Sequence, residues 1–173
     1  MEETTQPTVK SIATKWGLIN GLIGIIFFVI VDFAGMAGNQ ALSWVGVIIF
    51  AVLLVLAHKE FKAEGDGFLS FGQGLGIGTL IAVISSTMSS AFTFFYVSFI
   101  NPNMIEAIRD RSIAEMEESG NSQAEIDQAM PFLEMFISPV AMTIIGLLAG
   151  IFFGFIASLL VTIFTKNQDP EAI

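Results

Sequence analysis

Pro139–Phe164 reads PVAMTIIGLLAGIFFGFIASLLVTIF, a stretch without a single charged side chain. As an α-helix at about 1.5 Å per residue it is roughly 39 Å long, more than the ~30 Å hydrocarbon core of a bilayer. A helix of a soluble domain needs an apolar stripe facing its core, whereas this run is apolar all round. Its start is also marked. Ser138 is placed to cap the first turn, and Pro139 stands at the first helical position, where its missing N–H leaves no bond unmade. Along the run Gly146, Gly150 and Gly154, continued by Ser158, recur every four residues and so share one face. Such small-residue faces let two helix backbones approach inside lipid, where van der Waals packing replaces the hydrophobic drive, either between copies of the chain in a homo-oligomer or between helices of one chain. A shorter version, Gly17 and Gly21, lies near the other end of the chain.

Working backwards, three more apolar runs repeat the pattern. Phe71–Ile100 has no charge, and at about 45 Å it exceeds the hydrocarbon thickness, so it tilts or projects from one side. Ala41–Ala57 is near the lower length limit and stops at His58-Lys59-Glu60, whose charges are costly in hydrocarbon. Trp16–Ala34 follows a polar stretch, Met1–Lys15, read as an exposed tail. It is too long for a signal-peptide core and lacks a small-x-small site behind a basic leader, which makes it a retained span. The expected fold is therefore all-α: an integral-membrane four-helix bundle forming one membrane domain over 1–173, with spans at about 16–34, 41–57, 71–100 and 139–164.

Composition agrees. Of 173 residues, 54% are hydrophobic and 13% charged, with a mean hydropathy of +0.76, well outside the globular average. Seven Lys and Arg against 16 Asp and Glu give a net charge of −9. That leaves no basic surface for nucleic acid. Cysteine is absent, which excludes disulfides, thiolate nucleophiles and thiolate metal sites. Lys10, Lys15, Lys59, Lys62 and Lys166 fall on one side of the expected spans, Arg109 and Arg111 on the other. The positive-inside bias then puts both termini in the cytoplasm and the segment between the third and fourth spans outside.

That segment, about 101–138, is the one substantial extramembrane part. In its first half Met104, Ile105, Ile108, Ile113 and Met116 fall roughly on one side of a helix. In the second, Ser122-Gln123-Ala124-Glu125 has the capping-box pattern, and Ile126, Ala129, Met130 and Leu133 follow at helical spacing. Gly120-Asn121 reads as a turn, and Pro131 is expected to kink or break the second arm. The result is a helical hairpin with eight acidic residues against two arginines, so −6 of the −9 resides there. Glu106, Glu115, Glu117, Glu118, Glu125 and Asp127 form its candidate docking surface.

Inside the spans Asp32 is the lone ionisable residue. Intramembrane acids are candidates for proton or cation handling, and Ser86, Ser90 and Thr93, from a third span also holding Ser85, Thr87 and Ser89, are the hydroxyls that would complete such a site. The competing reading has Asp32 reaching interfacial water near Gly35 and Gly38, and the hydroxyls bonding their own helix or joining helices. Gly74, Gly76 and Gly78 do not make a phosphate loop, because no strand precedes them and no Gly-Lys-Ser/Thr follows. His58, beside Lys59 at a span end, reads as an interfacial side chain, and Tyr96 among Phe92, Phe94, Phe95 and Phe99 as part of an aromatic belt. The Glu115, Glu117, Glu118 cluster lacks calcium-loop spacing. No cofactor, metal site or catalytic set is expected.

Several motifs together carry a family resemblance: Lys15-Trp16-Gly17-Leu18, Leu69-Ser70-Phe71-Gly72-Gln73-Gly74, Phe99-Ile100-Asn101-Pro102, Glu125-Ile126 in the hairpin, and Gly154. The chain resembles domain of unknown function 4199, a family of four-span bacterial membrane proteins common in the Bacteroidetes. The resemblance covers nearly the whole chain. It implies a four-helix protein of the inner, cytoplasmic membrane and transfers no catalytic residues.

Two functions compete at this point. One is a non-enzymatic accessory or interaction subunit, or a homo-oligomer, whose partners are the lipid bilayer and another membrane protein or a second copy. The other is a small oligomeric carrier or channel using Asp32 and the Ser/Thr face of the third span.

Overall fold

The computed structural model describes residues 7–36 and 40–167. Among them run six α-helices and one π-helical turn: α1 (Val9–Phe33), α2 (Gln40–Glu64), α3 (Phe71–Phe95), the π turn (Tyr96–Ile100), α4 (Asn103–Glu118), α5 (Gln123–Ile137) and α6 (Pro139–Thr165). Val9–Phe33, Trp44–Glu64, Phe71–Ile100 and Pro139–Thr165 are each long and apolar enough to cross a membrane. This is a multi-pass helical membrane protein. Two units divide the chain, Met1–Ser89 with Leu148–Ile173, and Ser90–Leu147.

In the first unit the helices run past the expected spans. Thr8 starts α1 by a reciprocal cap: its hydroxyl accepts from the Ser11 N–H at 3.0 Å, and the Ser11 hydroxyl accepts from the Thr8 N–H at 3.1 Å. Val9–Lys15 is thus helical, because it carries Ile12 and Ala13 into the core while Lys10 and Lys15 stay exposed. Gly35, at φ +67°, ends α1; the Met36 N–H reaches back to the Val31 carbonyl, as in a Schellman end. The expected turn at 35–40 falls partly outside the described residues, as do Gly38 and the start of the expected tail.

Helix α2 continues through His58-Lys59-Glu60 to Glu64. The charges at its end are accommodated laterally: Glu60 accepts from Lys15 Nζ at 2.8 Å, and Lys62 Nζ donates to the Thr165 carbonyl at 3.2 Å. Between them Ala57, His58 and Phe61 face inward. The core joins Ile12 and Ala13 of α1, Leu54, Ala57 and Phe61 of α2, and Leu69, Ile77 and Ile81 beside or on α3. Past α6, Asn167 exchanges backbone bonds of 2.9 and 3.0 Å with Leu69, and its side chain donates to the Gly67 carbonyl at 2.9 Å. This clasp ties the chain beyond α6 to the α2–α3 turn.

In the second unit α3 gives way to the π turn, which shifts the helical register by one residue. It buries Tyr96 and Val97 and leaves Phe95, Phe99 and Ile100 exposed. Tyr96 is therefore a packed residue and not part of an aromatic belt. The hairpin forms as expected. Gly120, at φ +85°, turns the chain after α4, and Glu125 Oε2 accepts from the Ser122 N–H and hydroxyl at 2.7 and 2.8 Å. Helix α5 runs unbroken through Pro131. Ser138 separates it from α6, its hydroxyl accepting from the Ala141 N–H at 3.3 Å.

Candidate functional site

Helices α3 and α6 meet along a ladder whose rungs are Gly74 with Thr162, Gly78 with Ser158, Ala82 with Gly154, Ser86 with Gly150, and Ser90 with Gly146. As one partner rises by four residues the other falls by four, so the helices are antiparallel. The first four rungs lie in the first unit and the last in the second. A methyl group on Gly74 would stand 2.7 Å from Thr162 Cγ2, and one on Gly78 would meet the Ser158 side chain too closely to fit. At Gly146 the contact relaxes, with Ser90 Oγ 3.8 Å from such a methyl. The Gly146, Gly150, Gly154, Ser158 face is thus used within the chain. So are Gly17 and Gly21, which pack α1 against Ile84 and Met88 of α3.

This arrangement decides where the expected polar residues go. Ser86 and Ser90 face glycines of α6, where their small volume is what the contact requires. Ser85 and Thr87 donate to the carbonyls of Ile81 and Val83 four residues back, at 2.8 and 2.7 Å. Ser89 lies against Gly24 of α1. Thr93 is partly buried beyond the ladder, and Asp32 is half-buried in the last turn of α1.

A different polar cluster, unsuspected from the sequence, occupies the core end of the first unit. His58 is 0% exposed, which corrects its reading as an interfacial side chain. Its Nε2 lies 3.0 Å from the Gly74 carbonyl, and its Nδ1 lies 2.7 Å from Thr165 Oγ1. A carbonyl only accepts, so Nε2 carries a proton. Thr165 Oγ1 is also 2.9 Å from the Val161 carbonyl, and it has one proton to give. With neutral imidazole that proton goes to Nδ1; with imidazolium Nδ1 donates to Thr165, whose proton returns to Val161. One turn away the Thr162 hydroxyl is fully buried and makes no hydrogen bond. His58 thus ties α2 to the start of α3 and the end of α6. Only the pairing of these helices removes it from water, so its neighbours in sequence give no sign of it.

The hairpin is the other chemically distinctive region. Glu106, Glu115, Glu117, Glu118, Glu125 and Asp127 are all exposed. Both arginines are engaged inside the hairpin: Arg109 Nη2 lies 2.7 Å from Glu134, and Arg111 Nε lies 2.8 Å from Glu115. The two bonds from Ser122 hold the Glu125 carboxyl below its ordinary range, since they favour the ionised form. Between the arms lies an open cavity of about 410 Å³, lined by Ser112, Glu115, Met116, Asn121, Ala129 and Leu133 among others. Its lining is part apolar and part polar, with Glu115 as its acidic member. Among the described residues no group of three or more His, Asp or Glu is placed to hold a metal ion.

A family model described as a protein of unknown function, DUF4199, matches residues 15–167. No curated protein and no solved structure matches the chain.

Proposed function

The chain belongs to the DUF4199 family, and from that premise we propose that it is a non-enzymatic interaction subunit of a bacterial inner membrane, with both termini cytoplasmic and the acidic hairpin outside as its docking surface. The observation that carries this reading is the charge arrangement of the hairpin. Its two arginines are already bonded to Glu134 and Glu115, so the remaining carboxylates, Glu106, Asp110, Glu117, Glu118, Glu125 and Asp127, are presented to solvent without a basic side chain of the hairpin left to offset them. A basic segment of a membrane-protein partner has the complementary chemistry, and electrostatic complementarity favours rapid, selective encounter. The packing of Ser86 and Ser90 against α6 glycines weighs against the carrier reading, because those hydroxyls were to line its path. The packing of the glycine face within the chain likewise removes the motivation for homo-oligomerisation through α6.

The test is copurification after gentle solubilisation from native membranes, comparing wild type with Glu106→Gln/Glu117→Gln/Glu118→Gln/Asp127→Asn. A stoichiometric partner is expected with wild type, released as salt rises and missing from the neutralised protein. Recovery of the protein alone, or of the same partner with both proteins, sinks the proposal.

A further inference from the structure

Helix α5 has a second face that the docking proposal does not use. Ile126 and Ile137 are buried, yet Phe132, Met135 and Phe136 are 69%, 59% and 52% exposed. At i, i+3 and i+4 they form one apolar stripe on the half of α5 nearest α6. Charge changes along the same helix. Glu125 and Asp127 lie at its start, whereas from Gln128 to Thr165 the single charged residue is Glu134, and that carboxylate is paired with Arg109.

Chain connectivity fixes where this stripe must be. Phe136 precedes Pro139 by three residues, so it is within about 10 Å of the start of α6 even if the link is extended. Helix α6 has 27 residues, about 40 Å, against a hydrocarbon core of roughly 30 Å. With the helix centred on that core its first turn lies at the level of the headgroups, and Phe132, one turn before Phe136, is only about 6 Å further along α5. The apolar surface continues on both sides. Val140 of α6, and Phe99 and Ile100 of the π turn, are exposed, and the Ser90–Gly146 rung brings the exit of α3 to the same end of the unit as the start of α6.

We propose that the Phe132, Met135, Phe136 face of α5 is seated in the boundary between headgroups and acyl chains of the leaflet from which the hairpin emerges. The occupant is lipid, continuous with the lipid around α6. The hairpin is then tethered through α6 and held a second time by this face. Its acidic residues are kept clear of the apolar boundary, a division typical of an interfacial helix. The anchor differs from a basic amphipathic helix in one respect: with the face neutral and its surroundings acidic, attraction to anionic lipid contributes nothing. The inference rests on α6 spanning the membrane and is independent of whether the acidic surface docks a partner.

The absence of cysteine allows single nitroxide labels at Phe132→Cys and Phe136→Cys, with Ile144→Cys on exposed α6 and Glu117→Cys on exposed α4 as references. In phosphatidylcholine vesicles the labels at 132 and 136 should be reached by dissolved oxygen and shielded from a water-soluble nickel chelate. They should resemble the label at 144 and differ from that at 117. Accessibility to the nickel chelate equal to that at 117 would place the face in water and overturn the proposal. Shielding from both reagents would mean that protein, such as a second copy, covers the face, and would overturn it equally. Adding phosphatidylglycerol should leave the pattern unchanged; lipid contact seen only with anionic lipid contradicts a neutral anchor.

Discussion

Thr165 and Thr162 are one turn apart on α6, and their hydroxyls have opposite value. Thr165 Oγ1 is within 2.7 Å of His58 Nδ1 and 2.9 Å of the Val161 carbonyl, so its proton always has an acceptor, the neutral imidazole or its own helix. Thr162 Oγ1 is buried without a partner and carries the desolvation cost alone. Valine has the shape of threonine without the hydroxyl, which makes the two sites a matched pair. Thr165→Val should destabilise by about 1–3 kcal/mol, since it strands a buried ring nitrogen, while Thr162→Val should be neutral or stabilising. Unfolding in detergent against increasing denaturant reads both. Equal losses at the two positions would mean that His58 draws nothing from Thr165.

At the scale of helices, the α3–α6 ladder gives each glycine a different tolerance for a methyl group. Gly78→Ala and Gly154→Ala run into the side chains of Ser158 and Ala82, and overpacking of this kind costs about 1–3 kcal/mol. Gly72 has open space around its missing Cβ, and Gly146 has only Ser90 Oγ at 3.8 Å. Alanine there should be neutral or gain up to about 1 kcal/mol from helix propensity. Thermal stability in one detergent, measured across the four variants, should separate into these two pairs. A uniform response would show that the glycines act through backbone flexibility and not through close approach. The contrast also shows what a sequence can disclose about such a fold. Hydropathy, caps and turns are local, so the four apolar helices, the Gly120 turn and the Ser122–Glu125 cap are legible residue by residue. The pairing of Gly78 with Ser158, or the closure of α2, α3 and α6 over His58, depends on which helices become neighbours and in what register. Even the start of α1 is decided this way: Val9–Lys15 looks like a polar tail until Ile12 and Ala13 find the core.

At the scale of the molecule, an apolar chain with a net charge of −9 resolves into four long apolar helices and one hairpin holding −6 of that charge. The contacts along the helices set their directions. His58 and Leu54 of α2 meet Gly74 and Gly78 of α3 in descending against ascending order, and α6 is antiparallel to α3 in turn. Gly17 and Gly21 of α1 meet Ile84 and Met88 in matching order, so the helices alternate in direction through the first unit. The third apolar run, Phe71–Ile100, separates the α2–α3 turn, with Lys59 and Lys62 before it, from the α4–α5 hairpin, and on the proposed topology the two lie on opposite sides of the bilayer. The positive-inside bias supplies the proposed sign, with the lysine-rich side expected in the cytoplasm. In the cysteine-free chain, Asp66→Cys and Glu117→Cys mark the two sides, since both positions are exposed. A membrane-impermeant maleimide should label the cysteine at 117 in intact spheroplasts and the one at 66 only after lysis. The reverse pattern inverts the orientation while keeping the spans. Labelling of both before lysis would mean that Phe71–Ile100 does not cross the bilayer, and with it the antiparallel crossing of α3 and α6 would lose its place in a membrane.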